Sequence, residues 1–597
     1  MATFEDLHDD VLILIIQFVR YRQCPSSQRL PPNITPLTRT CRRLRALCFS
    51  IIFTNVAWTW VNPSHGVPLF PPTSICGFIR ELDIVIIECP PGMVKYSYCQ
   101  GRDNLRDVKD YLAVISDMIA TVALSMHAVH TVRFKVEDIG LGPWRTLLES
   151  IFLLPALESL TIDAPWTSRA ETFSSFTPCY AHLRRFIYHA PFFHSSETAG
   201  YGKRGSEQIN VEVHNLRLIL NSNRGSLEVL ELPGELADDL FDSPFPSLKE
   251  LFLLGYASDP FQLHCALTRA LLPVSHIQTL QIETASNNTF PLRSQMTSEL
   301  TRGNIARLRS LTLSNPLPSD PFFSILPPSL EHLSLTSYPE PFPLLRNDKS
   351  RIPVDITSCY ALKTILASGS FTNLRSLSIS YRWESNQVES SLFSLIPQTS
   401  PYLELLELNR YAWKGDPFDV VSLLETSLRS LNYLSHLRLN LESTAGDPYH
   451  LFAAIDDENC RAIVMQSIQK LAVSIASLRN ISRLVPVFQT VSPMRLAVPK
   501  WTWRPDVNTG RASLMRLAFF SAGFPLYAAS SRRDELLLYN THRKLPQSTV
   551  KKWSSPKVVD LPCAKTHTHP SRGVYASASI PQHPDLQSTA ISRHPAA

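Results

Sequence analysis

The sequence predicts an α/β protein in three parts. Residues 1–60 read as a helical module. Residues 61–529 read as an irregular solenoid of strand–loop–helix units, with parallel strands on a concave face and helices on a convex face. Residues 530–597 read as a disordered basic tail. Three observations predict this order. Apolar residues near the start fall at helical spacing. From about residue 75 a short block of the form apolar-x-x-apolar-x-apolar recurs. After residue 530 that block stops and Ser, Pro, His, Lys and Arg take over.

The N-terminal helix is expected over residues 4–19, where Leu7, Val11, Leu12, Ile15, Ile16 and Val19 share a face and the first turn is acidic. Negative charge there suits the positive end of the helix dipole. After a polar, proline-bearing connection, Thr35 and Pro36 suit the N-cap and first position of a second helix over residues 36–49. Leu37, Cys41, Leu44 and Cys48 form its apolar stripe, and Arg39, Arg42, Arg43 and Arg45 fall mostly off it.

The recurring blocks include Ile79/Leu82/Ile84, Leu157/Leu160/Ile162, Leu227/Leu230/Leu232, Leu308/Leu311/Leu313, Leu377/Ile379 after Leu374, and Leu434/Leu437/Leu439. Further copies are expected at Ile468/Leu471/Val473 and Leu514/Leu517/Phe519, with a weaker one around Leu496. Successive centres at 230, 251, 280, 311 and 333 lie 21, 29, 31 and 22 residues apart. Between them, helices are expected over residues 105–128, 144–154, 261–272, 361–368 and 460–470. A strand and a returning helix at that spacing describe a solenoid of leucine-rich-repeat type, in which neighbours share one elongated core. The asparagine that closes each turn in regular repeats is missing, since its positions hold Pro165, Tyr256, Pro316 and Tyr338. Irregular turns are therefore expected.

Composition narrows the function. Apolar residues are 44% of the 597, enough for a large core, while Gly numbers 19 and Pro 46. Scarce glycine counts against the phosphate-cradling loops of nucleotide folds. The net charge of +5 sits in the tail, which holds ten Lys/Arg against four Asp/Glu, leaving 47 basic and 48 acidic residues elsewhere. A neutral body offers no nucleic-acid patch. The apolar run between residues 11 and 19 is short of the ~20 residues that span a bilayer, so no membrane partner is expected. Eleven dispersed cysteines without a Cys-x-x-Cys pair read as reduced thiols in a cytoplasmic or nuclear protein. Cys563, His567 and His569 lack a second cluster that would complete a metal site. The run GYGKRG at residues 200–205 lacks the phosphate-loop form. No catalytic residue, metal or cofactor is expected.

The residues Leu7-His8-Asp9-Asp10-Val11-Leu12, then Ile15-Ile16, then Pro36-Leu37 through Cys41-Arg42-Arg43-Leu44-Arg45-Ala46-Leu47, resemble an F-box. That motif opens with Leu-Pro and an acidic pair, and its second helix runs Leu-x-x-x-Cys-[Lys/Arg]-x-[Trp/Leu]-x-x-Leu. Here His8 stands in place of the proline, and the connection over residues 20–35 is longer than usual. Residues 53–60 resemble the apolar segment that often follows. With the repeats, the chain resembles F-box/leucine-rich-repeat proteins of the divergent kind common in fungi. That resemblance implies a substrate receptor of an SCF-type ubiquitin ligase. Leu7, Val11, Leu12, Ile15, Ile16, Leu37, Cys41 and Leu44 would dock a Skp-type adaptor carrying a cullin and a RING subunit. The solenoid would hold a target protein, and ubiquitin chemistry would belong to the partners. The other reading is a protein-binding scaffold with no ligase link, its two helices covering the open end of the solenoid.

For the target, residues between the apolar ones of each block are expected to line the open face. Glu231 and Glu283, with Glu250, would make its first half acidic. Arg382, Arg410 and Arg438 would make its second half basic, with Trp383, Tyr411 and Trp413 as anchors.

Overall fold

The computed structural model describes residues 7–21, 37–60, 71–86, 104–136, 143–164, 166, 172–174, 182–189, 206–256, 267, 276–285, 301–338, 356–369, 371–411, 420–441, 483–486, 501–505 and 512–516. Two helices come first, α1 (Asp9–Tyr21) and α2 (Arg42–Ile52). Among the described residues sixteen strands follow, all in one sheet. They are β1 (Asn55–Trp60), β2 (Glu81–Ile86), β3 (Thr131–Val136), β4 (Ser159–Asp163), β5 (Arg185–His189), β6 (Val229–Pro233), β7 (Glu250–Tyr256) and β8 (Thr279–Ala285). Then come β9 (Ser310–Ser314), β10 (His332–Thr336), β11 (Ser376–Arg382), β12 (Leu405–Tyr411), β13 (His436–Leu441), β14 (Arg483–Pro486), β15 (Trp501–Pro505) and β16 (Ala512–Arg516).

Strand order across the sheet equals strand order in the chain. From β1 to β14 every neighbouring pair is parallel. Parallel neighbours need a crossover between them, and in-order pairing with crossovers is the solenoid-like α/β arrangement that the blocks predict. The last two strands depart from it, because β15 and β16 pair antiparallel. The block expected at Leu514/Leu517/Phe519 is therefore corrected: its first part forms a return strand, with Trp501 opposite Arg516. The copies expected near Leu471 and Leu496 lie outside the described residues, as does the expected tail.

The central residue of each block is a register neighbour of the next, from Leu82 through Val132, Leu160 and Phe186 to Leu406 and Leu437. None of this row is more than 1% exposed. The crossovers supply α3 (Thr73–Cys76), α4 (Asn104–Val122), α5 (Arg145–Ile151), α6 (Ser206–Asn223), α7 (Ala237–Leu240), α8 (Phe322–Ile325), α9 (Cys359–Ser368), α10 (Asn386–Thr399) and α11 (Val420–Leu428). Ile115, Leu148, Leu216, Leu362, Leu392 and Leu424 from these helices join the same core as the strand row. Each such side chain contributes about 1.5–3 kcal/mol by leaving water. α4, α5 and α9 match expected helices. The helices expected over 261–272 and 460–470 lie outside the described residues, apart from Leu267.

α6 and α10 were not signalled by the sequence because polar residues interrupt their inner faces. Glu212, Asn215 and Asn223 of α6, and Glu389 of α10, are fully or almost fully buried. Each has work that an apolar residue could not do. Asn215 Oδ1 accepts the Phe173 amide at 2.9 Å, and Asn223 Oδ1 accepts the Leu183 amide at 3.0 Å. These satisfy buried backbone donors that the sheet leaves over. Asn315, in the left-handed region at φ 49°, donates its side-chain amide to the Tyr338 carbonyl at 2.9 Å. Asparagine thus closes turns here from other positions than the regular repeat uses.

The residue before each of the strands β1 to β12 forms a second regularity. Its carbonyl accepts two amides from the next repeat, as Arg80 does from His130 and Thr131 (3.0 and 3.2 Å) and Glu404 from Ser435 and His436 (2.9 and 3.0 Å). Side chains at this position alternate in charge through Glu158, Arg184, Glu228 and Lys249, and again through Arg309, Glu331, Arg375 and Glu404. Lys249 lies 2.6 Å from Glu228, and Arg375 lies 2.9 Å from Glu404. The Lys249 hydrogen bond holds the Glu228 carboxyl below its ordinary range. Exposed pairs of this kind are each worth under about 1 kcal/mol, so the doubled backbone bonds carry most of the register.

Candidate functional site

Two surfaces remain after the core is accounted for: the outside of the helical pair and the sheet face turned away from the helices. The helical pair has a core of its own. Leu12, Ile16, Leu44, Cys48 and Ile51 pack together, with Leu7, Ile13, Leu37, Cys41, Leu47 and Ile52 around them. This group is separate from the cluster that runs through the sheet. His8 occupies the N-cap of α1, where its carbonyl accepts the Val11 and Leu12 amides at 3.1 Å each. Its ring Nδ1 accepts the Asp10 amide at 3.4 Å.

The second helix begins later than expected. Cys41 is extended (φ −143°, ψ 167°) and caps α2 by accepting the Leu44 amide on Sγ at 3.4 Å, which interrupts the helix expected over 36–49. Leu37 and Thr40 form a turn before it. Arg43 ties the two helices together. It lies 2.6 Å from Asp9 and donates to the Leu7 carbonyl at 2.6 Å. The acidic and arginine residues that carry the resemblance thus face each other across the pair.

The expected adaptor-binding residues separate into two sets. Leu12 at 1% exposure, Ile16 and Leu44 are interior. Leu7, Ile15, Leu37 and Cys41 are half-buried, and Val11 is 41% exposed. Leu14, which the helical stripe did not include, is 64% exposed. An apolar helix face left in water costs free energy that a partner surface removes. α2 runs into β1 through Phe53 and Thr54 alone, and the Thr54 carbonyl accepts the Arg80 and Glu81 amides. Phe49 meets Phe78 edge-to-face, with ring centres 6.2 Å apart. The segment expected to continue the module, residues 53–60, thereby supplies the first strand of the sheet.

The open sheet face does not divide into an acidic and a basic half. Glu231 and Glu283 stand on it as expected, but Glu231 is 3.0 Å from His189 and Glu283 accepts from Gln281 at 2.7 Å. Basic side chains occur early as well: Arg133 pairs with both Glu81 and Asp83 at 3.4 Å. Burial pushes the Asp83 carboxyl above its ordinary range even though Arg133 opposes that shift. Late in the sheet, Arg438 is 3.2 Å from Glu407. Arg382 is half-buried, and its amide bonds the Thr357 carbonyl at 2.9 Å. Tyr411 is buried, Trp383 is half-buried with its amide on the Tyr411 carbonyl, and Trp413 lies outside the described residues.

Arg410 does not reach the open face at all, which corrects its assignment. It shares the inward side of β12 with Leu406 and Leu408 and is 3% exposed. Its guanidinium meets Glu389 of α10 at 2.8 and 3.3 Å, and the Tyr381 hydroxyl donates to the same carboxylate at 2.7 Å. Three elements, β11, α10 and β12, are thereby joined through one buried carboxylate. Burial, with the Glu389 charge beside it, raises the Tyr381 hydroxyl well above its usual range. Burial likewise pushes the nearby Cys359 thiol up to about 12. A group of this kind is a structural tie and leaves no charge for a ligand. A second buried carboxylate, Glu212 of α6, accepts from the Tyr188 hydroxyl at 2.8 Å.

Among the described residues, Cys41, Cys48, Cys76 and Cys359 are free thiols, and no group of three metal-ligating side chains assembles. Cys563, His567 and His569, and the run over 200–205, lie outside the described residues. No described helix is long and apolar enough to cross a membrane. No family model matches the chain, and no curated protein does. Among solved structures it is similar to a protein from Bacteroides fragilis at 8% identity and a TM-score of 0.24, covering 62% of this chain and 67% of that one, a likeness too slight to carry an argument.

Proposed function

We propose that the chain is the substrate-recognition subunit of an SCF-type ubiquitin ligase. The helical pair docks a Skp-type adaptor, and through it a cullin and a RING subunit, while the repeat array holds the target protein. The supporting observation is the exposed pair Val11 and Leu14 on α1, outside a helical module that already has its own small core. Of the docking residues, Val11, Leu14 and Ile15 offer the contact, and Leu12, Ile16 and Leu44 hold the two helices together behind it. The direct passage from α2 into β1 fits the role, since a receptor must hold its target at a fixed distance from the transfer machinery. Ubiquitin transfer is then carried by partner subunits.

The test is affinity purification of the full chain from cells with the proteasome blocked, reading adaptor and target together. Recovery of a Skp-type adaptor is expected, and its absence refutes the reading. The contact of Phe49 with Phe78 favours a second reading, in which the helical pair covers the first edge of the sheet in a scaffold without ligase partners. Under that reading a target is recovered and no adaptor.

A further inference from the structure

We propose that the open face of β5–β8 binds a basic segment of a partner protein and seats one apolar side chain of that segment on Phe252 and Leu254. This rests on reading the array as a target receptor, and it names the chemistry of the target.

Strand β7 is unlike β9 and β10. In β9 (Ser-Leu-Thr-Leu-Ser) and β10 (His-Leu-Ser-Leu-Thr), apolar residues face the core and small polar ones face outward. That alternation is what a sheet with one open face requires. In β7 (Glu-Leu-Phe-Leu-Leu-Gly-Tyr), Leu251 and Leu253 are in the core, yet Phe252 and Leu254 on the other side are also apolar and only partly covered. The core gains nothing from them. The register places Glu231 and Gln281 on either side of Phe252, Pro233 and Glu283 on either side of Leu254, and Glu250 one step along β7. Ile187 of β5 lies beside Glu231 and is itself buried.

Charge selects the occupant. The strands β5 through β8 contain three glutamates, Glu231, Glu250 and Glu283, and one arginine, Arg185 at the start of β5. Of these carboxylates, Glu231 has His189 at 3.0 Å. A carboxylate-rimmed apolar patch attracts a cationic segment with an apolar centre and repels an acidic one. Spacing adds a prediction. With strands about 4.8 Å apart, β6 and β8 are separated by about 10 Å, which an extended peptide covers in about three residues. The segment therefore carries Lys or Arg on both sides of an aliphatic or aromatic residue, about four positions apart, the even spacing that turns all three side chains to one face. Beyond β8 the outward row shrinks to Thr312, Ser334 and Ser378, which leaves the peptide room to continue.

The test is fluorescence anisotropy of the full chain with a labelled peptide of about twelve residues repeating Lys-Ser-Leu-Ser. Two control peptides carry Glu in place of Lys, or Ser in place of Leu. Binding of the basic peptide is expected, about tenfold weaker for each control and weakened by added salt. The variants F252S/L254S and E250Q/E283Q should each lower its affinity about tenfold, and adaptor recovery should be the same in both. The charge variant keeps the test decisive if the apolar one fails to fold. Equal binding of the Glu peptide, no binding of the basic peptide, or unchanged affinity in both variants overturns the proposal. So does loss of self-association in F252S/L254S with peptide affinity intact, which would assign the face to a second copy of the chain. Peptide binding is measured without the adaptor, so a failed docking module leaves this result standing, and the reverse also holds.

Discussion

The helical pair and the repeat array solve the same problem at different scales. The pair buries five side chains in a core of its own and leaves Val11 and Leu14 in water. In the array every repeat lends its apolar row to the next, so one core runs from Trp58 to Leu437 and the repeats become interdependent. A short helical module has too little interior to cover all its aliphatic surface, and the uncovered part is where the proposed adaptor would bind. An array of many repeats has interior to spare, and even contains the Arg410–Glu389 ion pair. The comparison teaches that exposure in the first region points to docking, whereas in the second the informative residues are those on the face that the core does not need.

The largest effect should come from the array. Arg410→Met leaves the Glu389 carboxylate buried without its cation and is expected to cost about 3–5 kcal/mol by denaturant unfolding. Replacing the whole group, as Tyr381→Phe with Glu389→Leu and Arg410→Met, should recover most of that loss. A loss in the triple variant as large as in the single one would contradict the buried tie. In the helical pair, Leu12→Ala should cost toward the low end of about 2–5 kcal/mol. Hydrogen exchange should show faster exchange in α1 and α2 while protection of β7 and β11 persists. If the array loses protection as well, the two cores are not independent.

A smaller effect concerns pH. Burial draws His189 toward its neutral form, but the hydrogen bond and charge of Glu231, with Asp163 nearby, outweigh that and leave its pKa raised. The raised value means that the stabilisation is complete below the ordinary histidine pKa of about 6.5 and is lost as pH rises through the folded-state value. The Tm difference between the native chain and His189→Asn should therefore be largest in mild acid and shrink in alkaline buffer. The opposite trend would contradict the pairing with Glu231.

Much of the array was legible because its signal is local. The blocks from Leu82 to Leu437 each sit within six residues, and each became a strand in the expected order. What was missed depends on distant partners. Glu389 in α10 makes sense only beside Arg410, and Glu212 in α6 only beside Tyr188, so neither helix showed an unbroken apolar stripe. The signal for Arg410 was nonetheless present: two-residue alternation puts it on the side of Leu406 and Leu408, away from Glu407. The same alternation marks Phe252 and Leu254 as outward, next to Glu231 and Glu283. In the helical pair the stripe identified Leu12 and Ile16 as interior but also took in the exposed Val11 and passed over Leu14, because spacing reports which residues share a face and not how much of that face the chain itself covers.

The most direct measurement is a calorimetric titration of the purified full chain with a Skp-type adaptor, comparing the native sequence with Val11→Asp/Leu14→Asp. Both positions are exposed, so the double variant should unfold at the native temperature. The predicted result is binding by the native chain and none by the variant. Equal binding by the two chains, or none by the native chain, would contradict the account.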